Sequence, residues 1–171
     1  MKIVLIGYMA SGKSTIGKYL ADRLFFPFLD LDDYIEKQEK KSIANIFKDK
    51  GEIYFRQIEH KYLKEILLSK ESFVLSLGGG TPCYANNMSL INNSNVSSFY
   101  LQSSIKTLVD RLIREKNKRP LVASLENEKI SEFVAKHLFE RGVFYNKANF
   151  IINIDSKSTS EIVKEIRILL N

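Results

Sequence analysis

A chain of 171 residues with 44% hydrophobic side chains can build one domain around one buried core and is too short for several. Lysine and arginine number 26 against 20 aspartate and glutamate, a net charge of +6 that suits anionic partners. The single Cys83 excludes an internal disulfide, no run approaches the roughly 20 apolar residues of a membrane helix, and the basic stretch from Arg114 to Arg119 has no aromatic residue on which a base could stack.

Anionic small molecules are therefore the expected partners, with neither nucleic acid nor membrane, and the chain reads as a cytoplasmic monomer. The apolar run Ile3 to Ile6 stops at Gly7, too short for a signal peptide core, and predicts a buried parallel strand. Residues 14–25 repeat apolar Ile16, Tyr19, Leu20 and Leu24 at steps of three and four, which predicts a helix that Pro27 closes. Residues 28–31 form a second strand candidate, and residues 34–68 read as helical with an interruption near Gly51. A third strand over 72–77 runs into Gly78-Gly79-Gly80-Thr81-Pro82, which forces a loop. A fourth strand spans 96–101 and a helix 105–114, before a polar segment over 115–126 that contains Pro120 and suits a lid. A helix over 129–146, a last strand over 150–154 and a capping box at Ser158 to Glu161 complete the pattern. Strands alternating with helices, without repeats or a Gly/Pro/Ser-rich linker, predict a single α/β domain of three layers.

The chemistry begins at Gly7-Tyr8-Met9-Ala10-Ser11-Gly12-Lys13-Ser14, which fits G-x-x-x-x-G-K-[ST] between a predicted strand and a predicted helix. Phosphate oxygens need several donors converging on one point, and such a loop turns the backbone N–H groups of Ala10, Ser11, Gly12, Lys13, Ser14 and Thr15 inward. The helix N-terminus adds its partial positive charge. Lys13 would reach the β- and γ-phosphates of ATP, and Ser14 would offer its hydroxyl to Mg²⁺.

Asp30, Asp32 and Asp33 cluster at the end of the second predicted strand, on the edge where ligands bind in open α/β sheets. Asp30 can help hold hydrated Mg²⁺ or orient an attacking hydroxyl, and Asp32 can accept hydrogen bonds from a polyhydroxy substrate; helix capping is the alternative role for all three. Arg56, Arg119 and Arg141 each suit a carboxylate or phosphate through the guanidinium fork, and each also suits a solvated surface. Three consecutive glycines point to close approach of a ligand. Cys83, His60 and His137 have no partners at metal-binding spacing and are read as structural.

The P-loop, Asp30-Leu31-Asp32, the Gly-Glu-x-x-Phe-Arg-x-x-Glu stretch from Gly51 to Glu59, the triple glycine, Arg119-Pro120-Leu121 and Arg141 occur in a characteristic order and spacing. In these motifs the chain resembles the shikimate kinase family over nearly its whole length. The resemblance implies transfer of the ATP γ-phosphate to the 3-hydroxyl of shikimate, on the route to chorismate and the aromatic amino acids, with Mg²⁺ as cofactor. It implies a P-loop kinase fold with a five-stranded parallel sheet of order 2-3-1-4-5 flanked by helices, spanning 1–171 as one domain. A substrate-binding helical region at about 31–60 and a lid at about 112–126 belong to that fold.

By position, Asp32, Arg56, Gly78, Gly79, Gly80 and Arg141 match the family's shikimate contacts, with the two arginines on the carboxylate. Lys13 and Arg119 match its phosphate contacts, and Ser14 and Asp30 its Mg²⁺ residues. Lys13, Asp30, Asp32 and Arg119 form the implied catalytic set, with Asp30 or Asp32 accepting the hydroxyl proton. Arg111 matches the arginine that packs on adenine, in competition with Arg114, because the segment from Arg111 to Arg119 is longer than usual by one residue. The chain departs from the family pattern at Ala10, where the P-loop often carries glycine, and at Val143-Phe144, where Pro-Leu is usual.

Overall fold

The run Ile3 to Ile6 is fully buried because it forms the central strand of a sheet covered on both faces. The computed structural model describes residues 1–116 and 120–170. Its parallel strands β1 (Lys2–Ile6), β2 (Phe28–Asp30), β3 (Phe73–Ser76), β4 (Ser97–Gln102) and β5 (Phe150–Asn153) lie in the order β2-β3-β1-β4-β5. The order implied by the family resemblance is therefore the order observed.

The period of two along β1 divides the core into two layers. Ile3 and Leu5 pack with Ile16 and Leu20 of α1 (Lys13–Leu24) and Ile162 and Ile166 of α8 (Thr159–Leu169). Val4 and Ile6 face the other way, toward Leu63 of α3 (Ile43–Leu68), Leu112 of α5 (Ile105–Arg114) and Ile130 of α7 (Asn127–Tyr145). With every strand running the same way, Gly7, Leu31, Leu77 and Ser103 all leave the sheet at one edge. β1 lies between β3 and β4, so this edge is also where the strand order reverses, the usual place for a ligand in such folds.

Several boundaries differ from the sequence reading for local reasons. The helical stretch expected over 34–68 is broken earlier than Gly51: α2 (Leu31–Glu39) ends at Lys40 in the left-handed conformation, and Ser42 caps α3 by accepting a hydrogen bond from the Asn45 amide. Gly51 is the expected interruption, with non-helical φ 79° and ψ 175° inside α3. Leu31 belongs to α2 and not to the strand, because Asp30 Oδ1 accepts from the Asp32 amide and starts the helix there. α1 is closed before Pro27, at left-handed Phe25, where the Phe26 amide donates to the Ala21 carbonyl.

The segment after the glycines contains a 3₁₀ turn (Thr81–Cys83) and a short α4 (Asn87–Asn92), and the expected lid segment contains α6 (Pro120–Ala123). α5 has the bounds expected of it, and the Ser158–Glu161 capping box opens α8. Among the described residues no helix is long and apolar enough to cross a membrane.

Gly17 shows how closely α1 lies on the sheet, since a Cβ there would meet the Phe28 ring at 2.5 Å and Leu5 at 3.1 Å. Helix propensity alone favours alanine over glycine by about 0.5–1 kcal/mol, but overpacking against a ring and a strand costs about 1–3 kcal/mol. We expect Gly17→Ala to lower the urea midpoint of unfolding at unchanged m-value. An equal or higher midpoint would mean that α1 can shift off the sheet without loss.

Candidate active site

The loop between β1 and α1 is shaped by its small residues. A Cβ on Gly7 would lie 2.8 Å from Ser11 Oγ and 3.0 Å from the Leu101 carbonyl, so only glycine fits. Gly12 is left-handed (φ 88°) at the N-cap of α1. Ala10 is also left-handed (φ 62°), at the position where the family often has glycine; the methyl group is accommodated, at a conformational cost of about 1 kcal/mol. Buried Lys13 crosses back over the loop, its Nζ donating to the carbonyls of Gly7 at 2.8 Å and Tyr8 at 2.9 Å.

A cavity of about 420 Å³ opens along this loop and continues to Arg111, Arg114, Lys157 and Thr159. Arg111 Nη1 donates to the Ala10 carbonyl at 3.1 Å, so this arginine braces the phosphate loop while lining the cavity. Arg114 lines the same cavity, and both candidates for an adenine contact are thus brought to it. Beside the loop, Ser14 Oγ donates to Asp30 Oδ2 at 3.2 Å. This hydroxyl and carboxylate are the hard oxygen donors that Mg²⁺ prefers, and two such ligands suit an ion that keeps several waters and binds substrate phosphate. Arg119 lies outside the described residues.

The triple glycine faces three charged side chains in turn. None of the three has a positive φ, so tight space and not backbone freedom accounts for Gly78 and Gly80, while the contacts at Gly79 are of ordinary length. A Cβ on Gly78 would lie 3.2 Å from Asp32 Oδ1, one on Gly79 would lie 3.5 Å from Arg141 Nη1, and one on Gly80 would lie 3.1 Å from Arg56 Nη2. The sequence-predicted acceptor residues therefore converge on a single stretch of backbone. Arg56 is fixed by Glu59 Oε2 at 2.9 Å and Glu52 Oε1 at 3.2 Å, and lies over the Tyr84 ring at 3.9 Å.

Sequence reasoning missed the groups that hold this stretch in place. Glu59 is 1% exposed and takes a second hydrogen bond from Thr81 Oγ1 at 2.7 Å. Its three-residue spacing from Arg56 on one helix was the available signal. Asn87 receives a hydrogen bond from His60 Nδ1 at 2.7 Å and donates to the Thr81 carbonyl at 2.9 Å, so His60 is structural as expected. Tyr145 donates to the Gly79 carbonyl at 2.5 Å, and Tyr8 Oη is hydrogen-bonded to His137 Nδ1 at 2.9 Å. Burial pushes the Cys83 thiol up to about 11, which keeps it protonated and unreactive.

The two predicted acidic residues have different surroundings. Asp30 is engaged by Ser14 and the Asp32 amide. Burial pushes the Asp32 carboxyl up to about 6, helped by the negative charges of Asp30 and Glu59 and opposed by Lys13.

A family profile described as shikimate kinase matches residues 9–171. A shikimate kinase of Flavobacterium psychrophilum is 52% identical over 99% of this chain and 98% of its own. Among solved structures, shikimate kinase from Bacteroides thetaiotaomicron is similar with a TM-score of 0.91 at 34% identity, covering 99% of this chain and 98% of its own. Shikimate kinase from Acinetobacter baumannii in complex with shikimate has a TM-score of 0.86 at 31% identity, over 99% and 92% of the two chains.

The Asp32 environment makes a test in pH. The folded pKa of about 6 exceeds the unfolded 3.8, so folding favours the neutral carboxyl. That stabilisation is complete below the unfolded value and is lost as pH rises through about 6. Asp32→Asn should therefore gain stability over the parent between pH 4 and 7, on the order of 2 kcal/mol at the plateau. Chemical denaturation at three pH values measures it; parallel profiles for the two proteins would contradict the burial argument.

Proposed function

Because the chain belongs to the shikimate kinase family, we propose that it transfers the γ-phosphoryl group of Mg-ATP to the 3-hydroxyl of shikimate, giving shikimate 3-phosphate and ADP. The observation that carries the reading is the placement of Asp32, Arg141 and Arg56 against Gly78, Gly79 and Gly80, immediately beside the phosphate loop. One carboxylate and two guanidinium groups around a bare backbone suit a small hydroxylated acid. The arginines pair with its carboxylate and Asp32 accepts from its hydroxyls.

The phosphate loop holds ATP through its backbone amides, and Lys13 neutralises charge on the β- and γ-phosphates after leaving the carbonyls it now bridges. Ser14 and Asp30 hold Mg²⁺, which when bound offsets charge on the phosphates. Asp32 is the better base of the two acids: its pKa of about 6 leaves it mostly ionised at neutral pH yet near the optimum for proton transfer. Asp30 is already committed to Ser14 and to the Asp32 amide. Arg111 and Arg114 both suit the adenine end.

In this reading residues 1–171 form one catalytic domain, acting as a cytoplasmic monomer. Residues 31–60 form the acceptor wall and residues 112–126 a lid that brings Arg119 to the phosphates and excludes water.

Coupled ADP detection tests the reaction. ADP release should depend on shikimate, and Arg56→Ala should lower kcat/KM for shikimate by roughly 10²-fold, as expected when one partner of an enclosed charge pair is removed. Asp32→Asn should lower kcat by about 10²–10⁴-fold. A folded, ATP-binding protein whose ADP release ignores shikimate would refute the assignment.

A further inference from the structure

The Tyr8–His137 pair joins the phosphate loop to the helix that carries an acceptor arginine. Tyr8 belongs to the loop, and its carbonyl accepts from Lys13 Nζ at 2.9 Å. Its side chain is 1% exposed, so its hydroxyl needs an internal partner, which His137 Nδ1 supplies at 2.9 Å. His137 and Arg141 are four residues apart on α7 and share a face. Arg141 returns to the same tyrosine, its guanidinium carbon 5.6 Å from the Tyr8 ring centroid. One turn earlier on that face, the Phe133 ring stands 4.2 Å from the His137 ring and limits its movement.

The contacts close into a circuit. One turn beyond Arg141, Tyr145 holds the Gly79 carbonyl, and a Cβ on Gly79 would lie 3.4 Å from the Met9 amide and 3.5 Å from Arg141 Nη1. Phosphate loop, α7 and glycine loop therefore locate one another, and Arg141 sits inside the circuit. Resting on the functional reading above, we infer that Tyr8 and His137 are positioning residues for the acceptor: their hydrogen bond sets Arg141 for the acceptor carboxylate. Through it, a residue of the ATP loop governs affinity for the other substrate.

Steady-state kinetics of the full chain with Tyr8→Phe, His137→Phe and the double variant tests this. Each single change should raise KM for shikimate about three- to tenfold, the range expected for one lost internal hydrogen bond. The loss should fall more heavily on KM for shikimate than on KM for ATP. The double variant should be no worse than the worse single, because both remove one interaction. His137→Asn, whose amide can replace Nδ1, should recover most of the loss. Shikimate methyl ester, with the carboxylate masked, should show the same kcat/KM in all these proteins.

An unchanged shikimate KM, additive losses, or equal losses with acid and ester would each overturn the inference while leaving the functional reading intact. Tyr8→Phe preserves shape and decides the matter alone if His137→Phe does not fold. A parent enzyme that ignores shikimate would remove the functional reading and this inference together.

Discussion

A carboxylate with 1% exposure is a severe constraint, because burying a charge costs several kcal/mol unless good partners surround it. Glu59 meets that cost with one oxygen on Arg56 and the other on Thr81. The first contact fixes a cation at the sheet edge, and the second fixes the turn that ends the glycine loop. His60 and Asn87 hold the same turn from its carbonyl side. Arg56 cannot swing into solvent without leaving Glu59 unpaired, so the acceptor side is assembled before any ligand arrives. This preorganisation reduces the entropy lost on binding.

The neighbouring acids show how environment separates two chemically identical groups. Asp30 is the N-cap of α2 and the partner of Ser14, and both roles use its negative charge. Asp32 lies two residues later, pressed toward Gly78 and near two other carboxylates, where the charged form is disfavoured. Such a group is costly to a resting protein and useful to proton transfer, a familiar tension between stability and activity.

Much of this was legible in the sequence because it depends on short-range rules. The buried run of β1, the stripe of α1, the bounds of α5 and the Ser158 capping box follow from periodicity and local hydrogen bonding, and the phosphate loop from its spacing. The break at Lys40 was not legible, since a lysine in the left-handed conformation carries no signal that glycine would. α4 is a six-residue helix of less than two turns, too short for periodicity to detect. Glu59 entered only as the end of a motif, although its spacing from Arg56 was a local signal for the pair; Tyr8 and Tyr145 were missed because their partners are distant, 129 and 66 positions away. Pairings of that range belong to topology, and no local pattern contains them. The sequence reading of Arg119 rests on a position outside the described residues.

The glycine run has a genetic consequence. None of Gly78, Gly79 and Gly80 has a positive φ, and what a side chain would meet differs along the run: Thr81 Oγ1 and Asp32 at Gly78, the Met9 amide and Arg141 at ordinary contact distance at Gly79, and the Arg56 guanidinium at Gly80. The strand before the run and the turn after it keep their own hydrogen bonds. Variants at Gly78 or Gly80 would press on Thr81 and Arg56, the two partners of buried Glu59, so loss of the reaction there would come with a lower melting temperature. Selection can hold this loop through folding and reaction at once, whereas Gly17, pressed on the Phe28 ring, is held by folding alone.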